Sequence, residues 1–197
     1  MKKIFFGLLL LFLFSFSIKK IPVTPAWRLM LTSEIIIKGK VLSHDTTAIV
    51  VEVAQVLSTN SKSALTSGQK IKINNSNNSK ISIKTSRTAD GVTAIFYLNT
   101  TASSTTFNHT DRFLGSVPLN LEGKIQFYNG IDYKNYGTLQ EYIIAIKQVK
   151  KSYLIDETGK VQSKLSKKSV YKTYKMSAIA TSIFNEIERE RSNYSNQ

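Results

Sequence analysis

Glu34-Ile-Ile-Ile-Lys-Gly-Lys-Val-Leu42, Ser43-His-Asp-Thr-Thr47 and Ala48-Ile-Val-Val-Glu-Val-Ala-Gln-Val-Leu57 follow one another without a break. The outer two segments are apolar runs rich in β-branched residues, and the middle one is polar. β-Branched side chains pack well on a pleated surface and lose rotamer freedom in a helix. The stretch therefore reads as two strands joined by a short turn. In the first strand Ile35, Ile37 and Val41 alternate partly with polar residues, and Gly39 interrupts them. A glycine inside a strand marks a bulge or a sharp bend. In the second, Ile49, Val51 and Val53 share a face, then Val56 and Leu57 shift the pattern. A further irregularity is expected near Ala54 and Gln55. Curved, bulged strands suit a small closed barrel better than a flat sheet.

Further strands follow. Lys70-Ile-Lys-Ile73 and Lys80-Ile-Ser-Ile-Lys84 alternate on either side of Asn74–Ser79, as a hairpin or a bulged strand with one wet lysine face. Asp90-Gly91 turns the chain into Val92–Leu98, a run with few polar residues that reads as a central, buried strand. Asn99 to Asp111 reads as a long Ser/Thr-rich loop. The apolar pattern resumes at Leu114, Val117, Leu119 and Leu121, and Lys124–Tyr128 reads as a last short strand.

Helices come last. Thr138 and Glu141 have capping-box spacing, and Leu139, Tyr142, Ile143, Ile146 and Val149 form one apolar stripe ending at Lys150-Lys151. Ser152 to Ser169 is polar and lysine-rich, a linker or a weak hairpin. Val170 to Arg191 reads as a second helix with a stripe of Met176, Ile179, Ile183 and Ile187. It either packs back on the domain or serves as an interaction arm. Ahead of the barrel, Pro22 and Pro25 favour extended backbone, with Trp27, Leu29 and Leu31 lying over a barrel edge.

The expected fold is thus mainly β with C-terminal helices, an α+β chain: a five-stranded OB-like barrel followed by two helices. The divisions are a signal peptide over 1–17, a barrel domain with its first helix over 18–151, a polar linker over 152–169 and a C-terminal helix over 170–191. For the signal peptide, Met1-Lys2-Lys3 is a positive n-region, Ile4–Phe14 an apolar core and Ser15-Phe16-Ser17 a small-x-small cleavage site that leaves Ile18 first. The apolar run is short of the about 20 residues a membrane span needs. An uncleaved anchor is the rival, since Lys19-Lys20 stand close behind the site. A periplasmic or secreted location is expected.

The 197 residues suffice for one packed domain, and the hydrophobic content of 42% is ordinary. There is no cysteine, which removes disulfides, thiolate metal sites and a cysteine nucleophile. The formal charge is +14, or +12 once Lys2 and Lys3 are removed. Most of the basic residues are lysines in a chain also rich in Asn, Ile and Ser, a bias that an AT-rich genome produces without a selected partner.

The apolar runs and the glycines Gly39, Gly68, Gly91 and Gly123 resemble exported bacterial proteins with an OB-type barrel. These are loosely similar to the inhibitory domain of tissue inhibitors of metalloproteinases and to netrin-like modules, over roughly Ser33 to Lys151. The resemblance implies a fold. Protease inhibition does not carry over, because those inhibitors present a disulfide-locked N-terminal cysteine to zinc.

Only His44, beside Asp45, and His109, near Asp111, offer imidazole chemistry. No nucleophile elbow supports a triad, no ligand spacing supports a zinc site, and no phosphate-cradling motif is present. No catalytic residue, metal or cofactor is assigned, and the chain is read as a non-enzymatic binding or interaction module of the bacterial envelope. The alternatives are a hydrolase or inhibitor with a site hidden from sequence, and a basic binder of single-stranded nucleic acid or an anionic polymer. OB-type barrels bind on the face of strands two and three, which here maps to Lys70, Lys72, Lys80, Lys84 and Arg87. A second basic region, Lys147 to Lys175, interleaves Tyr153, Tyr171 and Tyr174. An envelope protein or an anionic polymer is the expected partner. Nucleic acid ranks lower for an exported chain, and a membrane is met only through an uncleaved N-terminal segment.

Overall fold

The quoted stretch folds as two long antiparallel strands, β1 (Ile35–His44) and β2 (Ala48–Thr59). The structure, a computed structural model, describes residues 24–45, 47–60, 64–74, 89–111, 115–119, 123–128, 133–174 and 178–195. The segment expected to be a signal peptide, the Lys80–Lys84 run and Arg87 lie outside the described residues.

The β1–β2 register slips three times, between Ile36 and Ile37, between Lys38 and Gly39, and between Val41 and Ser43. Lys38 faces Gln55 while Gly39 faces Val53, so Ala54 is the extra residue. The irregularities expected at Gly39 and near Ala54 are one and the same bulge. Gly39 sits where β1 bends tightly over the interior. A Cβ there would lie 2.3 Å from Val51 Cγ1 and 3.0 Å from the Glu52 carbonyl oxygen.

The strands β3 (Lys70–Asn74), β4 (Thr93–Thr100) and β5 (Thr106–His109) complete the barrel. The order runs β1-β2-β3-β5-β4, and β4 returns to pair with β1, closing five strands into a mixed barrel. All pairings in the ring are antiparallel except β3–β5, which is parallel. The closing strand β5 lies inside the stretch expected to be a loop. Thr106-Phe-Asn-His109 has a single apolar residue, Phe107, and closure rests on backbone hydrogen bonds that carry no side-chain signature. The short strand β6 (Ser116–Pro118) follows β5 along the same edge of β4. Between them Tyr97 spans the break, its N–H donating to the Gly115 carbonyl and its carbonyl accepting from Thr110 N–H. The run expected to be the last barrel strand, β7 (Lys124–Tyr128), pairs instead with β8 (Tyr133–Thr138) in a separate hairpin.

Two cores explain the unbroken apolar runs. Ile35, Ile37, Val51, Val53, Ile71, Ile73, Phe96 and Phe107 fill the barrel. Ile36, Ile95 and Tyr97 point the other way, into a helical layer. Strands buried on both faces lose their alternation, which is why Ile35–Ile37 and Ala94–Leu98 read as continuous. The outer layer begins with α1 (Ala26–Thr32), where extended backbone was expected. Pro25 stands at its N-cap, a helix-start position where the missing N–H costs nothing. Trp27 is 2% exposed, a packing residue. Next comes α2 (Leu139–Ser152), capped by the expected Thr138–Glu141 box. Its Tyr142, Ile143, Ile146 and Val149 are buried, and the Tyr142 hydroxyl shares a short hydrogen bond with that of Tyr97.

Within 152–169 lies a hairpin of β9 (Tyr153–Ile155) and β10 (Val161–Ser163), with Tyr153 and Val161 buried in the helical core. In the stretch expected to be the C-terminal helix, helix covers α3 (Lys167–Tyr174) and α4 (Ala178–Ser195), on either side of three residues outside the described ones. Ala180, Ile183, Phe184 and Ile187 of α4 join the same core, so this helix packs on the domain. No helix among the described residues is long and apolar enough to cross a membrane.

Candidate basic face and lysine cleft

Alternation along β3 sends Ile71 and Ile73 inward and leaves Lys70 and Lys72 exposed on the outer wall. The register extends this face. Lys40 of β1 stands opposite Glu52, and Glu52 opposite Lys70. Lys72 lies between Val50 and Thr106 of its neighbouring strands. At the far end the Asn74 amide donates to Asn108 Oδ1 at 3.0 Å. Of the five candidate residues, the structure places Lys70 and Lys72 together, while Lys80, Lys84 and Arg87 lie outside the described residues. Lys40 was not among them, although its alternation with Ile37 and Val41 carries the same signal. The face is positive with acids interspersed: Glu52 sits between two lysines. Asp45 accepts hydrogen bonds from the Thr47 hydroxyl, Thr47 N–H and Ala48 N–H, which, with a smaller pull from Lys72, hold its pKa at about 2.

The histidines take separate roles. His44 Nδ1 lies 2.8 Å from Asp90 Oδ1, at an exposed pair that pins the start of β4 to the end of β1. His109 is no solvated loop residue. It stands on β5, its ring stacked near Phe96 at 6.3 Å between centroids, with Gly115 packed so close that a Cβ there would lie 2.4 Å from Nδ1. The residue as a whole is partly exposed, while Nδ1 is buried beside the Gly115 backbone. Burial lowers the His109 pKa to about 4, against the opposing pull of the Gly115 backbone and the Asp111 charge. No group of three His, Asp or Glu side chains among the described residues is placed to hold a metal ion.

In the second basic region Tyr153 is fully buried, and its hydroxyl donates to Glu188 at 2.9 Å. It packs and does not stack on a ligand. What the region does form is an open cleft of about 380 Å³ where α1, the end of β2, the C-terminus of α2 and β9 meet. Lys150 Nζ reaches across it to the Ser33 carbonyl at 2.9 Å and Asn60 Oδ1 at 3.2 Å. Lys164 Nζ donates to the Lys150 carbonyl at 2.9 Å. Desolvation first, then the nearby Lys164 charge, lowers the Lys150 pKa to about 8. No carboxylate lines the cleft among the described residues.

A second cleft of about 510 Å³, between β10 and α4, differs in kind. Its Arg191 meets Glu188 at 2.7 Å, and Tyr194 donates to Glu190 at 2.6 Å. Unlike the first cleft it is lined by a carboxylate, Glu188, which pairs with its arginine.

Comparison with protein-family models, with curated proteins and with solved structures found no match to this chain.

Proposed function

We propose that this chain is an exported binding module of the bacterial cell envelope, and that the outer face of β1, β2 and β3 engages an anionic polymer. The observation that carries this reading is the row of exposed lysines, Lys40, Lys70 and Lys72, on the wall that OB-type barrels use for ligands. Spaced lysines on a rigid sheet suit a repeating anion, whose charges they meet without reordering the backbone. Glu52 within the row disfavours random adsorption, because a ligand must seat its charges around it. The leading segment Met1–Ser17 supports export, with Ile18 as the first mature residue.

Dextran sulfate serves as the probe and neutral dextran as the control. The reading expects saturable, salt-sensitive binding of the sulfated polymer only, weakened at least about tenfold, the equivalent of about 1.4 kcal/mol, by the pair K70E/K72E. Both side chains are exposed, so the variant keeps its fold. Equal binding by K70E/K72E and the natural protein would reject the face. Mass spectrometry of the exported protein checks the leader, and an intact Met1 would reject cleavage.

A further inference from the structure

We propose that the cleft holding Lys150 and Lys164 is a binding site for a small oxyanion, a carboxylate or phosphate, that carries an apolar group. Two ammonium groups face one cleft, and the side chains that line it include no acid among the described residues. Like charges brought together in a partly dehydrated place repel, and an anion between them relieves that repulsion. In the cleft between β10 and α4 a carboxylate, Glu188, lines the wall and pairs with Arg191. Here the positive charge is left open.

The helix terminus does not cancel it. The C-terminus of α2 contributes roughly half a negative elementary charge. Two lysines outweigh that, and three of the last four carbonyls are already used, Val149 by the Tyr153 N–H, Lys150 by the Lys164 side chain and Ser152 by the Lys164 N–H. Lys150 spends two N–H groups on Ser33 and Asn60, and an ammonium has three. The third meets no partner among the described residues and can serve a ligand oxygen.

The apolar half comes from β9. Leu154 and Ile155 line the cleft, and Leu154 is 39% exposed, one of two large hydrophobic residues so exposed among those described. A bare inorganic ion leaves that side chain in water. An acyl or other apolar chain attached to the anion covers it. The site stands apart from the basic barrel face and does not depend on it.

Inorganic phosphate, acetate and octanoate are the probes, titrated into the full chain against sodium chloride of equal ionic strength. Isotope-labelled lysine side chains report the result by NMR. The expected outcome is that phosphate and acetate shift the Lys150 and Lys164 signals and raise the Lys150 pKa above about 8, while chloride does not. Octanoate binds at least about tenfold more tightly than acetate, since burying even two CH₂ groups gives about 1.6 kcal/mol. K164Q, an exposed change that leaves the fold intact, weakens all three probes, and L154S weakens octanoate alone. Equal shifts with chloride, or unchanged affinity in K164Q, would overturn the anion site. Equal affinity for acetate and octanoate would overturn the apolar half.

Discussion

Alanine at position 39 puts one methyl group where the barrel has no room. Its Cβ would lie 2.3 Å from Val51 Cγ1 and 3.0 Å from the Glu52 carbonyl oxygen, with Phe96 Cε2 at 3.5 Å. Backbone cannot give way cheaply, and Val51 is fully buried. The φ angle of Gly39 is not in the left-handed region, so no conformational strain enters. Overpacking of this kind costs about 1–3 kcal/mol. Replacing glycine by alanine returns about 0.4–1 kcal/mol through the unfolded chain. The net expectation for G39A is a loss of about 1–2 kcal/mol, or a fall of roughly 2–8 °C in Tm for a chain this size. V51A alone removes two buried methyl groups and costs about 2 kcal/mol. In the double variant the new Cβ occupies the space Val51 vacates. The loss in the double variant should fall short of the sum of the two single losses by about 1 kcal/mol or more, the sign of direct contact. Equilibrium urea unfolding with an unchanged m-value measures all three. A G39A variant within about 0.5 kcal/mol of the natural protein, or strict additivity in the double, would refute the tight bend of β1 across the barrel interior.

His109 gives a pH signature. Its folded pKa of about 4 lies below its ordinary 6.5, so between those values the unfolded chain binds more protons. Stability is therefore full above pH 6.5 and falls as pH drops toward 4. The whole shift corresponds to about 3 kcal/mol at roughly 1.4 per unit, less a share for the residue's partial exposure. H109Q should flatten this window in acid-dependent unfolding. It should leave the further loss below pH 4 contributed by Asp45 and by Asp156, each held at about 2, Asp156 chiefly by the Gln162 and Thr158 side chains. T138A removes the hydroxyl that receives the Glu141 N–H at 3.3 Å and should cost about 1 kcal/mol in the same assay. An unchanged midpoint would show that α2 does not depend on its cap.

The sequence disclosed what side-chain pattern controls. The β1–β2 pair, its bulge at Gly39 and Ala54, β3, β4 and the capped α2 all follow from periodicity, glycine placement and the Thr138–Glu141 spacing. β5 did not, because barrel closure there is a matter of backbone pairing with β3 and β4, and Thr106, Asn108 and His109 look like loop residues. α1 was hidden by Pro25, which argues against helix within a segment but is favourable at its start. Of the basic face, Lys70 and Lys72 were legible by alternation. The lysine cleft was not: Lys150 and Asn60 are 90 residues apart in the chain, and each lysine is one among 27 basic residues. Only folding distinguishes the two that share a cleft without an acid from those that face water.

Residue-resolved NMR of the full chain, titrated with dextran sulfate, tests the binding role most directly. The barrel-face account predicts saturable shifts at Lys40, Lys70, Lys72 and the adjoining Thr106, fading as salt screens the charges. Shifts confined to the helical side, or none on the β1–β2–β3 face, would contradict it.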